Sequence, residues 1–265
     1  MITKFNKWVI KHPGLAYNLF NITLLIALVV MVCTLSWPIE VYVVVGLIIL
    51  FINRLMVASV RAREINKAIK KLNYKCDPEP LYDITSFLIE HARSENELQM
   101  LLLNKSVALE TMGEYEKACE ILSGLIIDNM QSIPLQSKII YHFNMLSIYI
   151  HLEDVEQAEI QYSKAMEIYD QLSKSLKGRV ESDVNLTIAE FRFLKGDYEG
   201  AMELIDKIHL TDVRGDLAFR LLRARLNIHR NNLYIARSDL EYIVAKGNKL
   251  YIVEKAKKLL GELEK

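Results

Sequence analysis

The chain has little of what most catalytic sites are made from. Of its 265 residues only three are cysteine, Cys33, Cys76 and Cys119. They stand far apart with no C-x-x-C pair, which fits a reducing compartment and excludes a zinc or disulfide framework. The ten glycines fall mostly at turns, and no glycine-rich phosphate loop occurs. His12, His91, His142, His151, His209 and His229 show no H-E-x-x-H or other ligand spacing, and a G-x-S-x-G elbow is missing. Each histidine reads as a helix-surface or packing residue. The expectation is a protein that is not an enzyme, with no cofactor, metal or catalytic residue.

Net positive charge is also lacking where nucleic acid would need it. Lysine and arginine total 33 against 33 acidic residues, and residues 76–265 hold 23 basic and 31 acidic ones, a net of minus eight. Phosphate binding needs a basic face, so nucleic acid is excluded as a partner. Charge of either sign is nearly absent between Leu15 and Ile52, where Glu40 stands alone. Hydrophobic residues make up 51% of the chain, and this stretch concentrates the excess.

Leu15 to Leu35 is an uncharged run of 21 residues, about 31 Å as a helix and so matched to a bilayer core. Ser36-Trp37-Pro38 reads as a turn, and Ile39 to Ile52 as a second apolar run that Leu55 to Ala58 extend if Arg54 snorkels. A two-helix transmembrane hairpin is expected over 1–60, with spans at about 15–35 and 39–58. Lys4, Lys7 and Lys11 flank one side, and Arg54, Arg61, Arg63, Lys67, Lys70, Lys71 and Lys75 the other. The turn carries no Lys or Arg, so the positive-inside rule places both termini in the cytoplasm of a cell membrane. A signal peptide would need a shorter apolar run and a small-x-small cleavage site. Neither run contains G-x-x-x-G.

Leu55, Ala58, Ala62, Ile65, Ile69 and Leu72 lie on one helix face. This predicts a juxtamembrane helix that rests on anionic lipid through Arg54, Arg61, Arg63, Lys67, Lys70 and Lys71, or simply continues the second span. Asp77-Pro78-Glu79-Pro80 ends the 61–80 linker.

From residue 81 to 265 the apolar spacing is helical throughout, with no strand signal. A leading helix at about Leu81 to Arg93 precedes four helix pairs. Their turns fall at Gly113-Glu114-Tyr115, Glu153-Asp154-Val155, Gly196-Asp197-Tyr198 and Asn231-Asn232-Leu233. Each is followed by an alanine three residues on, at Ala118, Ala158, Ala201 and Ala236, spaced 40, 43 and 35 apart. Pro134 suits the first position of one helix, and Lys249 to Glu264 reads as a capping helix. Gly113-Glu-Tyr-Glu-Lys-Ala118 and Gly196-Asp-Tyr-Glu-Gly-Ala201 resemble the tetratricopeptide repeat family, whose 34-residue unit is a helix–turn–helix. The first-helix tryptophan, the Leu-Gly pair of the first unit and the closing prolines of that family are missing here. The resemblance implies an all-α fold, a solenoid of about four pairs below the hairpin.

It also implies a concave groove lined by the first helix of each pair. By register its positions are Met100, Leu103 and Val107; Ile140, Phe143, Ser147 and His151; Leu186, Glu190 and Phe193; and Leu221, Arg225 and His229. Asn104 and Asn144 fall where family members place an asparagine that bonds a peptide backbone. Leu103 and Val107 replace the residues of a carboxylate clamp. The resulting expectation is a membrane-tethered cytosolic adaptor that binds a protein or peptide partner, itself membrane-associated, besides membrane lipid. Two alternatives stay open: a peptide-sensing or immunity-type protein, and a regulatory subunit of a membrane enzyme. The sequence assigns no oligomeric state.

Overall fold

A computed structural model describes residues 2–35, 37–126 and 134–264. Ser36 of the expected turn lies outside them. The described residues form thirteen α-helices and no strand, and the chain divides into two compact units, Met1–Lys67 and Ala68–Lys265.

The first unit begins with α1 (Lys4–Lys11), a helix the basic composition of this stretch does not announce. Thr3 caps it by accepting from the Asn6 N–H at 3.1 Å, and Val9 and Ile10 are buried while Phe5 and Trp8 face outward. Pro13 then opens α2 (Pro13–Thr34), where a missing N–H costs nothing. The helix α3 (Ile39–Lys75) is unbroken, so the second apolar run and the juxtamembrane face are one element. Its sequence has neither glycine nor proline between Gly46 and Pro78, which leaves nothing to interrupt it.

Both α2 and α3 are long and apolar enough to cross a membrane, and only 6% and 11% of their most apolar windows are buried. Polar contacts fix their pairing. Asn53 donates to Asn21 at 2.6 Å, and the Tyr42 hydroxyl donates to the Leu35 carbonyl with its ring stacked on Trp37. Asn6 and Lys67 both donate to Glu64, at 2.9 and 2.7 Å. Arg61, expected at a lipid surface, is instead buried, whereas Arg54, Arg63, Lys67 and Lys70 are exposed.

The second unit contains α4 (Glu79–Ile89) and four antiparallel pairs. These are α5 (Glu95–Thr111) with α6 (Tyr115–Ser123), α7 (Leu135–His151) with α8 (Val155–Gln171), α9 (Lys174–Leu194) with α10 (Tyr198–Ile205), and α11 (Val213–His229) with α12 (Leu233–Lys246). The helix α13 (Ile252–Leu263) follows and packs on α12 and α11. Pro134 precedes α7 as its N-cap rather than opening it.

All four pairs turn by one device. Gly113, Glu153, Gly196 and Asn231 each have φ between 59° and 85°, the left-handed conformation that ends a helix. The next N–H reaches back to a carbonyl five residues earlier: Glu114 to Leu109, Asp154 to Tyr149, Asp197 to Arg192 and Asn232 to Asn227, at 2.8 to 3.0 Å. These bonds satisfy carbonyls that would otherwise be orphaned. Asp154 and Asp197 also cap the following helices by accepting from Gln157 and Gly200. The alanines Ala118, Ala158, Ala201 and Ala236 are all fully buried, so the two helices of each pair approach closely.

The core is largely aliphatic, with Leu122, Leu146, Ile148, Leu217 and Leu222 fully buried, each stabilising by roughly 1.5–3 kcal/mol. Asp239 is a buried charge. It accepts from Arg223 at 2.6 and 2.7 Å and from Arg220 at 3.0 Å, tying α12 to α11.

The unit also closes on itself. Asn248 donates to the Lys75 carbonyl, the Lys249 N–H to Cys76 and the Tyr251 N–H to Thr111, at 2.9, 3.2 and 3.0 Å. Lys249 pairs with Glu79 and Asp77. The last connection of the array therefore meets its first helices. Gly113 makes that possible, since a Cβ there would lie 2.4 Å from the Tyr251 ring.

Candidate functional site

Because the first helices α5, α7, α9 and α11 face inward and the start of α13 folds against them, they enclose a cavity of about 420 Å³. That size falls in the range of small-ligand sites, roughly 300–1,000 Å³. Its walls are largely apolar, with Ile140 and Phe143 from α7, Val184 and Leu186 from α9, Leu221 from α11, Leu250 from the connection before α13 and Ile252 from its start.

Polar groups converge on it at two levels. At one, the Ser147 hydroxyl donates to the Glu110 carboxylate, and the Lys255 ammonium donates to His151 Nδ1 at 3.3 Å. His151 Nε2 lies 4.0 Å from Glu110, with the Tyr115 ring 4.6 Å from its own. Lys255 also sits over the Tyr115 and Tyr251 rings, at 4.8 and 5.8 Å. Glu190 belongs to this level through its electrostatic coupling to Arg225, Glu110 and Lys255. At the other, Asn144, Asp183 and Arg214 line the cavity. Asn144 is seven residues from His151 on α7, and Asp183 seven from Glu190 on α9, so the levels are about 10 Å apart.

Desolvation governs the protonation of the first level. Burial pushes the Glu190 carboxyl up to about 7, with Glu110 adding to the shift and Arg225 and Lys255 opposing it. Glu110 is raised by burial against the pull of the Ser147 hydroxyl, Arg214 and Lys255. Burial, then Lys255 and Arg225, hold His151 down at about 3, so its imidazole is neutral. Burial lowers Lys255 as well, and Glu190 partly offsets it. At the second level burial raises Asp183, and the Arg214 charge opposes. Asn144 Nδ2 and Arg214 Nε are buried without a hydrogen-bond partner.

Of the groove positions read from the sequence, Val107, Ile140, Phe143, Asn144, Ser147, His151, Leu186, Glu190 and Leu221 line this cavity. The others lie elsewhere. Leu103 is buried in the core with Met100 packed on the same cluster, and Asn104 donates to the Met100 carbonyl at 2.9 Å. Phe193 packs on the neighbouring core cluster and carries the Arg225 guanidinium 4.1 Å above its ring. His229 lies against Tyr198, the rings tilted by 33° with centroids 3.7 Å apart. Glu110, Asp183, Arg214, Tyr251 and Lys255 were not read as groove residues. Asp183 and Glu110 had a signal available, because they recur on the inward faces of α9 and α5. Tyr251 and Lys255 had none, since only the closure of the array brings α13 to the groove.

A family model for the tetratricopeptide repeat matches residues 140–171. The match runs through α7 and α8 to the last residue of the second helix, and the chain carries a tetratricopeptide repeat there. No curated protein and no solved structure matches the chain.

Proposed function

We propose that the protein is a membrane-tethered binding module whose repeat array receives a short linear peptide or chain segment of a partner in the cavity between α5, α7, α9, α11 and α13. The observation that carries this reading is the cavity itself: an apolar-walled groove with buried donors left unsatisfied and a carboxyl that makes no hydrogen bond to the described residues. Unsatisfied buried polar groups cost about 1–3 kcal/mol each, and a peptide backbone supplies the missing partners. The tetratricopeptide repeat supports the general role, since such repeats are protein-interaction elements.

Tethering rests on α2 and α3. Apolar helices left so largely uncovered are at home in hydrocarbon, and their basic flanks favour cytoplasmic termini. A bilayer anchor raises the local concentration of membrane-bound partners, so a groove of modest affinity suffices.

The convergence of Glu110, His151, Glu190 and Lys255 in one cavity also invites an enzymatic reading. Binding is the better account. His151 at about 3 is too weak a base for neutral pH. Glu190 has the pKa of a general base, yet no hydroxyl or thiol among the described residues is hydrogen-bonded to it.

The test is a photo-crosslinking amino acid placed in the full-length protein in cells, at Ile140 inside the cavity and at Tyr234, which is 87% exposed outside it. Adducts to one defined peptide segment from Ile140 support the reading. Adducts from Tyr234 alone overturn it.

A further inference from the structure

The groups left without partners in the cavity specify more than an apolar occupant. Glu190 makes no hydrogen bond or ion pair with the described residues, so the first level has an acceptor waiting for a donor. Asn144 Nδ2 and Arg214 Nε are donors waiting for acceptors at the second level. The cations of the first level are already placed: Lys255 donates to His151 beneath two tyrosine rings, and Arg225 stacks on Phe193.

Leu250, Tyr251 and Ile252 wall the cavity beside the end of α5, where Tyr251 is bonded to Thr111. A strand running through would meet that wall, whereas a chain end stops against it. The two levels lie about 10 Å apart, and an extended chain rises about 3.3 Å per residue, so about three residues bridge them. Between the levels stand Leu186 on α9 and Leu221 on α11, with Ile140 and Phe143 just past the second level on α7, and all four suit aliphatic or aromatic side chains.

We propose that the ligand of this cavity is a free apolar oligopeptide of about three to five residues, its amino terminus received by Glu190 and its carboxylate end by Arg214 and Asn144. This rests on the groove being the binding site and adds that both chain termini lie inside it. An ammonium satisfies the carboxyl that the protein leaves bare. The carboxylate satisfies the guanidinium edge and the amide, and charge-assisted bonds of this kind are stronger than neutral ones.

The test uses the full-length protein in lipid nanodiscs and isothermal titration with tri-, tetra- and pentapeptides of Leu, Ile and Phe. Each is made with both ends free, with the amino end acetylated, and with the carboxyl end amidated. Saturable binding of the free peptides is expected, with at least a tenfold loss on blocking either end. Glu190→Gln should abolish the difference between free and acetylated peptides, and Arg214→Gln that between acid and amide. Circular dichroism checks that both variants fold, and the comparison of blocked peptides on the unaltered protein needs no variant. Equal binding of blocked and free peptides overturns the proposal while leaving the groove as a site for internal segments. If no peptide binds but Ile140 still crosslinks to a partner segment, the proposal also falls and the groove reading stands. If both experiments are blank, both readings fall together.

Discussion

The helices α2 and α7 are made of much the same apolar residues and treat them in opposite ways. Of its 22 residues α2 buries only Ala16, whereas α7 buries seven of 17, among them Ile139, Met145, Leu146 and Ile148. What α7 does not bury is itself divided: Ile140, Phe143, Asn144, Ser147 and His151 all line the cavity. One face of α7 makes the core and another makes the site, while α2 presents the same character all round. A helix that is apolar on every side suits a membrane span or a buried core, and one with sidedness packs a single face on the rest of the protein. The contrast breaks most directly at a buried leucine. Leu222→Ala in α11 should destabilise the array by about 3 kcal/mol, the usual cost of such a cavity. Leu25→Ala, at a position 63% exposed on α2, should leave the array's urea midpoint unchanged. Equal losses would mean that α2 is a packed core helix after all.

Next in size are the turns, where residues that look equivalent are not. Gly113 and Gly196 both have positive φ, near 85° and 80°, so alanine at either is strained. A side chain at Gly196 meets open space, but at Gly113 it strikes the Tyr251 ring that closes the cavity. Gly196→Ala should therefore cost about 1 kcal/mol, and Gly113→Ala about 2 or more, because overpacking adds to the strain. Thermal melts of the two variants read the difference. Similar losses would imply that the contact between the α12–α13 connection and α5 contributes little.

The recurrence of turn, bulky residue and alanine made the pairs legible in the sequence, because a left-handed cap and a close helix crossing each demand a particular residue type. Glu153 escaped that logic. It takes the same left-handed conformation as its glycine and asparagine counterparts, with the Asp154 to Tyr149 bond closing the turn. The groove was readable from α7, whose register carries both its core and its site. It was less so at Leu103 and Phe193, where the same periodicity points into the core. Closure of the array was illegible, since it depends on Asn248, Lys249 and Tyr251 meeting residues more than a hundred positions away. The helix α1 was hidden by its lysines, which suggested a flank rather than an element.

Helix caps give a smaller and sharper comparison between pairs. Asp197 accepts from the Gly200 N–H at 2.9 Å, whereas Asn232 makes no side-chain cap bond at the equivalent place. Asp197→Ala should cost about 1 kcal/mol and Asn232→Ala only a few tenths. Matching losses in denaturant titrations would show that Asn232 caps its helix in solution.

The smallest expected effect is a titration, and it separates the cavity from every other part of the array. Glu190 keeps its proton to about pH 7 in the folded protein against 4.5 for the ordinary carboxyl. The unfolded chain thus releases that proton first, and folding stability falls as pH rises through this window, with the loss complete above 7. His151 works the other way. The unfolded imidazole takes a proton below 6.5 while the folded one resists to about 3, so its contribution is lost as pH falls. The two oppose each other at mildly acidic pH, and from 6.5 upward the raised carboxyls of the cavity, Glu190 and Glu110, both act to lower stability as pH rises. The full displacement of Glu190 is worth about 3 kcal/mol, which water in the open groove screens to on the order of 1. Melting temperatures should drop between pH 6 and pH 8 for the unaltered protein and drop less for Glu190→Gln. A variant that loses as much stability as the unaltered protein over that interval would show that the Glu190 carboxyl in the groove is not the group responding, and the acceptor on which the ligand argument depends would be gone.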